Sequence, residues 1–336
     1  IAVGLGIAIS SATQDITIDA LRIEQIGENE KDLLSAGAAI SVVGWWTGYK
    51  IGGLVSLISA DILQKQGVEN YWQLSFLLLG LIIIITSFAL ILVPEKSSKI
   101  RISNQKRQDD ELLDKLKTNN RFSKVYVWLY GTIANPLVSF FKKNSFSVAL
   151  GILCFIFLFK IGEAFLGRMS IIFYNEIGFS KTDIALYSKG IGWITTITFT
   201  LLGGLFAIRM GLLKAMFVSG ILMALTNLMF SVLAWVGQSE ILFAFTVLID
   251  DLAAAFATVA FVGFISALVD RTYTATQYAL LASIGTAGRT LFASSSGTLV
   301  DWLNGDWGIF FIITAIMVIP SLVCLMIIKS KIKLNE

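Results

Sequence analysis

Apolar residues fill this chain in long blocks separated by short polar stretches. Blocks near 1–20, 36–61, 73–93, 146–174, 183–208, 213–235, 241–269, 277–300 and 308–328 are each long enough for one bilayer span, which takes roughly 20 mostly apolar residues. Each is expected to be a helix, because lipid offers no partner to an unpaired backbone N–H or C=O. A polar segment, 94–145, separates three spans from six. Within it, 125–141 is uncharged, and Asn135–Pro136 is expected to interrupt it before Lys142–Lys143 closes it. That pattern reads as an interfacial helix rather than a tenth span. Gly44, Gly48 and Gly52 recur every four residues, which predicts a narrow face on the second span for close helix packing.

Composition agrees with the pattern. The 336 residues are 56% hydrophobic and 15% charged, with a mean hydropathy of +0.78, against about a quarter charged for a soluble domain. The fold class is therefore an all-α polytopic membrane protein. No histidine is present, which excludes His-based triads, zinc sites and proton relays. Cys154 and Cys324 lie in apolar runs and imply neither a disulfide nor a metal site. No GxxxxGK[ST], HExxH or GxSxG motif occurs, so an ATPase, a zinc peptidase and a serine hydrolase have no foothold, and no cofactor is expected. Ile1 already lies inside an apolar run, with no signal-peptide pattern before it. Three spans before the polar segment and six after it suggest a six-plus-six ancestor, with three N-terminal helices absent. The expected organisation is thus 1–93 as the last three helices of a first half, 94–145 as a linker, and 146–336 as a second half with a short tail.

Charge sets the expected orientation. Segment 94–145 carries eleven basic residues (Lys96, Lys99, Arg101, Lys106, Arg107, Lys115, Lys117, Arg121, Lys124, Lys142, Lys143) against five acids. A cytoplasmic linker explains this better than nucleic-acid binding does. By parity the ends near 22–35, 209–214, 270–276 and 329–336 fall on the same side, and they carry Arg22, Lys31, Arg209, Lys214, Arg271, Lys329, Lys331 and Lys333. The opposite loops carry only Lys65 and Lys181. Linker and C-terminus are expected on the cytoplasmic side of the membrane.

An ionisable group at mid-bilayer costs about 2.5–3.5 kcal/mol on insertion scales, so each one invites a functional reading. Asp15 and Asp19 share a face of the first span, beside Gln14 and one turn before Arg22. The fourth span carries Lys160, Glu163 and Arg168 at spacings that also share a face. Lys50, Lys189, Asp250, Asp251 and Arg289 lie in other spans. Any single one can be a structural pair, such as Lys160–Glu163 or Asp19–Arg22. A set spread over five or more helices points instead to a water-filled central cavity. Without histidine, the candidates for proton coupling are Asp15, Asp19, Glu163, Asp250 and Asp251. Candidates for binding a cargo are Gln14, Lys50, Lys160, Arg168, Arg289 and Trp193, with Trp45 and Trp46 as further aromatic faces. A carboxylate pair in an intramembrane enzyme is the competing class, though no nucleophile or metal accompanies it. The pairs Asp15/Asp250 and Trp72/Trp307 share an offset of 235 residues, in keeping with repeated halves.

Ser11-Ala12-Thr13-Gln14-Asp15-Ile16-Thr17-Ile18-Asp19-Ala20-Leu21-Arg22-Ile23-Glu24 resembles the signature stretch of the AmpG muropeptide permeases. Ala36–Gly44 resembles that family's next helix, Lys160-Ile161-Gly162-Glu163-Ala164-Phe165 its R/K-(L/I)-G-(D/E)-A-F pattern, and Gly178–Ala185 the loop beyond. Pro136–Phe146 is similar to the approach to the second half. The resemblance covers nearly the whole chain. It implies a major-facilitator bundle with about nine of twelve helices present, probed by protons and one small-molecule cargo, and working as a monomer without nucleic acid. The implied activity is proton-driven import of GlcNAc-anhydromuramyl peptides during cell-wall recycling. Acetyl-coenzyme A transporters of the same superfamily share a form of the first motif, so another organic anion is an alternative cargo. An inactive truncated remnant is a further alternative.

Overall fold

The computed structural model describes residues 1–26, 30–94, 102–103, 106–107, 110–111, 121–180, 184 and 192–332. Lys96, Lys99, Arg101, Lys115, Lys117, Lys181, Lys189 and Lys333 lie outside these described residues. Among the described residues every regular element is a helix. They are α1 (Ala2–Gln25), α2 (Lys31–Lys65), α3 (Tyr71–Leu90), α4 (Arg121–Leu129), α5 (Asn135–Asn144), α6 (Phe146–Leu158), α7 (Ile161–Ile177), α8 (Gly192–Met210), α9 (Leu212–Val236), α10 (Glu240–Leu268), α11 (Thr274–Ala293), α12 (Ser296–Trp302), α13 (Trp307–Ile316) and α14 (Ile319–Ile328).

Among the described residues six stretches are long and apolar enough to cross a membrane: Tyr71–Leu90, Phe146–Ile177, Trp193–Met210, Leu212–Val236, Glu240–Leu268 and Trp307–Ile328. Two of these contain a break, at Phe159–Lys160 between α6 and α7 and at Met317–Val318 between α13 and α14. Helices α1, α2 and α11 have the length but are less apolar. Some of their polar residues, Asp19, Ser41 and Gln277 among them, bond across to neighbouring elements.

Two aromatic-rich cores hold the second part together. One gathers Phe155, Phe159, Met216, Phe264 and Leu268 with Phe140 and Ile23. The other gathers Phe173, Tyr174, Phe230, Phe243, Trp307 and Phe311. Fully burying such a ring contributes about 1.5–3 kcal/mol relative to exposure in water. In lipid the aqueous driving force is absent, and close packing carries more of the weight. Small residues permit that approach. A Cβ on Gly204 would stand 2.6 Å from the Ala39 side chain, and one on Gly288 would run into the Phe157 carbonyl.

Two expectations are corrected. The Gly44–Gly48–Gly52 face is not a packing seam: no described atom lies within 4 Å of where a Cβ would stand at any of the three. The tight face of α2 is instead the one carrying Ala38, Ala39 and Val42, buried against Val259. Helical phase decides this, since the four-residue glycine row points away from α8 and α10. Asn135–Pro136 also fails to interrupt its helix. Residues 121–144 run continuously through a π-helical turn at Tyr130–Ala134, directly before Pro136. The wider turn absorbs the proline's missing N–H. The true stop is Ser145, at φ 58°. Helix α5 docks on the α10–α11 turn: Gln277 Nε2 donates to the Pro136 carbonyl at 2.9 Å, and Ser139 Oγ donates to Asp270 Oδ2 at 3.1 Å.

Candidate functional site

The first polar cluster lies where the fourth span breaks. Lys160 is the N-cap of α7, and Glu163 falls in the first turn. A new helix N-terminus inside a bundle brings backbone N–H groups and the positive dipole end to that point, and a carboxylate in the first turn suits it. Lys160 is 5% exposed. Its Nζ lies 2.9 Å from Glu163 Oε2 and donates to Thr258 Oγ1 on α10 at 2.7 Å. The Thr258 hydroxyl passes its own proton to the Ala254 carbonyl at 2.7 Å. Thr226 on α9 donates to Asp250 Oδ1 at 2.9 Å. The charges of Asp250 and Arg289 also act on Lys160, and those of Asp251 and Glu163 on Asp250. The structure therefore brings Lys160, Glu163, Asp250 and Arg289 into one electrostatic neighbourhood built from α7, α10 and α11.

The second cluster sits at the end of the bundle where α1 stops. Arg22 donates from Nε and Nη2 to Asp19 Oδ1 at 3.1 and 3.0 Å, and from Nη2 to Ser266 Oγ on α10 at 3.1 Å. Ser41 on α2 donates to the same Asp19 oxygen at 3.1 Å, and Tyr278 on α11 lies close enough to feel the Asp19 charge. Arg271 donates to the Ile23 carbonyl. One carboxylate thus ties α1 to α2, and its guanidinium partner extends the tie to α10.

Other candidates are scattered. Lys50 stands 5.4 Å over the Trp46 ring and donates to Thr196 Oγ1 on α8 at 3.3 Å, so a cation and an aromatic face share the α2–α8 junction. Trp45 packs edge-on against Trp46. Asp251 borders a cavity of about 480 Å³ between α8 and α10, with Thr195 and Glu240. Trp193 lies exposed in the first turn of α8, away from that aromatic group. Gln14, Asp15 and Arg168 are exposed, and among the described residues none of them makes an ion pair; Arg289, whose charge reaches Lys160 from an exposed position on α11, makes none either. Arg168 does not join Lys160 and Glu163: it lies five residues beyond Glu163 on the same unbroken helix, which at 3.6 residues per turn turns it about 140° away. Sequence reasoning missed Ser41, Thr226, Thr258, Ser266 and Tyr278. Hydroxyls in apolar helices are common, and only the partner across the bundle singles these out.

A bundle of apolar helices with ion pairs buried where those helices meet has the architecture of a major facilitator transporter. The solved structure of the proton:xylose symporter XylE of that superfamily, bound to 6-bromo-6-deoxy-D-glucose, is similar with a TM-score of 0.59, covering 90% of this chain and 65% of that chain at 16% identity. The AmpG 4 transporter protein of Rickettsia felis is 32% identical over 98% of this chain and 72% of its own length. The Escherichia coli K12 anhydromuropeptide permease is 28% identical over 98% of this chain and 60% of its own. No family model matches. This chain belongs to the AmpG family of multi-pass membrane transporters. The competing reading as a membrane enzyme has no support among these relatives.

Proposed function

We propose that this chain serves proton-coupled import of cell-wall muropeptides into the cytoplasm, with Lys160 as a cargo-facing cation and Glu163 as its exchangeable partner. The observation carrying this reading is the buried Lys160–Glu163 pair at the start of α7, held to α10 through Thr258. A muropeptide brings carboxylates, hydroxyls and amides. A cargo carboxylate can replace Glu163 at Lys160 if Glu163 takes a proton, which couples cargo and proton at one cation. Burial favours neutral forms and an adjacent opposite charge favours ionised ones, so exchanging the partner moves the proton. Lys50 over Trp46 offers a second cation beside an aromatic face for the sugar rings. The Asp19 cluster acts as a latch between the parts, opening and closing as they rock. The Escherichia coli relative's name gives the cargo class, and basic residues at 94–145 and 329–336 favour a cytoplasmic linker and C-terminus.

Binding of a GlcNAc-anhydromuramyl peptide to the purified chain, with proton uptake followed by a pH dye, tests the reading. Binding should take up protons and weaken in Lys160→Gln. Tighter binding of acetyl-coenzyme A than of the muropeptide would overturn the cargo. Binding without proton uptake would overturn the coupling.

A further inference from the structure

A groove of about 330 Å³ runs between the α8–α9 turn and the last turn of α14. Its floor is apolar, with Met210, Phe217, Leu325 and Met326, and its rim carries Lys214 and Lys329. Both lysines are exposed, and among the described residues neither joins an ion pair.

The position of Lys214 is unusual. It lies in the first turn of α9, whose N-cap is Gly211, and no side chain caps that end. The first intrahelical bond runs from the Ala215 N–H to the Gly211 carbonyl at 2.9 Å, so the N–H groups of Leu212, Leu213 and Lys214 lie outside the helix ladder. A cation in that turn is repelled by the helix dipole, while an anion is attracted to both the dipole and the amides. Lys329 closes α14 and adds a second positive charge across the groove. Together the cations, amides and apolar floor match a molecule with an anionic head and an apolar tail. The groove lies between the start of α9 and the close of α14, at the ends of two membrane-length stretches. Soluble phosphate would leave the floor unused, and a neutral lipid would leave both lysines uncompensated.

We propose that this groove is a binding site for one anionic phospholipid, its phosphate between Lys214 and Lys329 and an acyl chain along Phe217 and Leu325. Juxtamembrane lysines select anionic lipid in this way.

The test uses the full chain in nanodiscs of phosphatidylcholine and phosphatidylglycerol, followed by native mass spectrometry of lipid retained after release into detergent. Phosphatidylglycerol should be retained in preference to phosphatidylcholine. Lys214→Gln/Lys329→Gln should weaken that retention by about thirtyfold, the combined effect of two lysines at an anionic surface. Lys214→Arg/Lys329→Arg should preserve it. Met326→Trp, which keeps both charges and fills the floor, should reduce it. Equal retention of the two lipids, unchanged retention in the Gln pair or in Met326→Trp, or displacement of bound lipid by glycerol 3-phosphate would each overturn the proposal.

Discussion

Arg22 and Ser266 lie 244 positions apart, yet the guanidinium Nη2 donates to the serine Oγ at 3.1 Å while holding Asp19 on its own helix. The bond joins the first helix of the chain to the long helix α10. It makes Asp19 a bracing residue, since that carboxylate receives Arg22 and Ser41 together.

Asp19→Asn should therefore lower the melting temperature of the purified protein, with a loss of about 3 kcal/mol for a buried pair broken on one side. It should abolish counterflow as well as accumulation of cargo. Asp15→Asn, at an exposed position one turn away, should leave the melting temperature unchanged. Counterflow retained in Asp19→Asn with accumulation lost would return that residue to proton coupling.

A double-mutant cycle on Lys160→Gln and Glu163→Gln should give a coupling energy of about 1–3 kcal/mol in thermal or denaturant unfolding. Glu163→Gln alone should abolish proton uptake on cargo binding while the protein still inserts in the membrane. A cycle that sums to zero would mean that the 2.9 Å pair contributes nothing to stability.

Gly288→Ala should destabilise the chain by about 1–3 kcal/mol, because its new methyl meets the Phe157 main chain and overpacks the α6–α11 contact. Gly48→Ala, where no described atom lies within 4 Å, should be neutral or slightly stabilising. Melting temperatures of the two variants side by side check this, and equal effects would contradict the packing described.

Lys143 lies in the last turn of α5, and burial pushes its ammonium below the usual lysine value of 10.5, with Asp270 opposing. A base whose folded pKa is depressed binds more protons when unfolded, so its contribution to stability rises with pH. The rise falls between the depressed folded value and 10.5 and is complete above 10.5. Melting temperature followed from pH 8 to 10.5 should climb more in the wild type than in Lys143→Met. Parallel curves would remove Lys143 from the pH response.

Spans were legible in the sequence because a bilayer demands long apolar runs. The Lys160–Glu163 and Asp19–Arg22 pairs were legible because three-residue spacing sets side chains together on one helix. What sequence could not show was phase and partnership across helices. The glycine row of α2 looked like a seam, but Ala38 and Ala39 hold that role. Proline looked like a stop, but a π turn carried the helix past it, and Ser145 stopped it instead. Neither glycine nor proline marks the break at Phe159–Lys160, so nothing local announced it. The hydroxyls that complete both clusters come from α2, α9 and α10, and only tertiary structure selects them.

That break has a mechanical consequence. An unbroken helix resists bending because each turn is bonded to the next, and a kink must disrupt part of the ladder. At Phe159–Lys160 the ladder is already interrupted, so α6 and α7 can swing about that point as two stiff rods on a common pivot. The pivot carries the ammonium that Glu163 and Thr258 hold. Under the proposed function, exchanging the partner of that ammonium would act at the pivot itself, with the far end of each rod moving most.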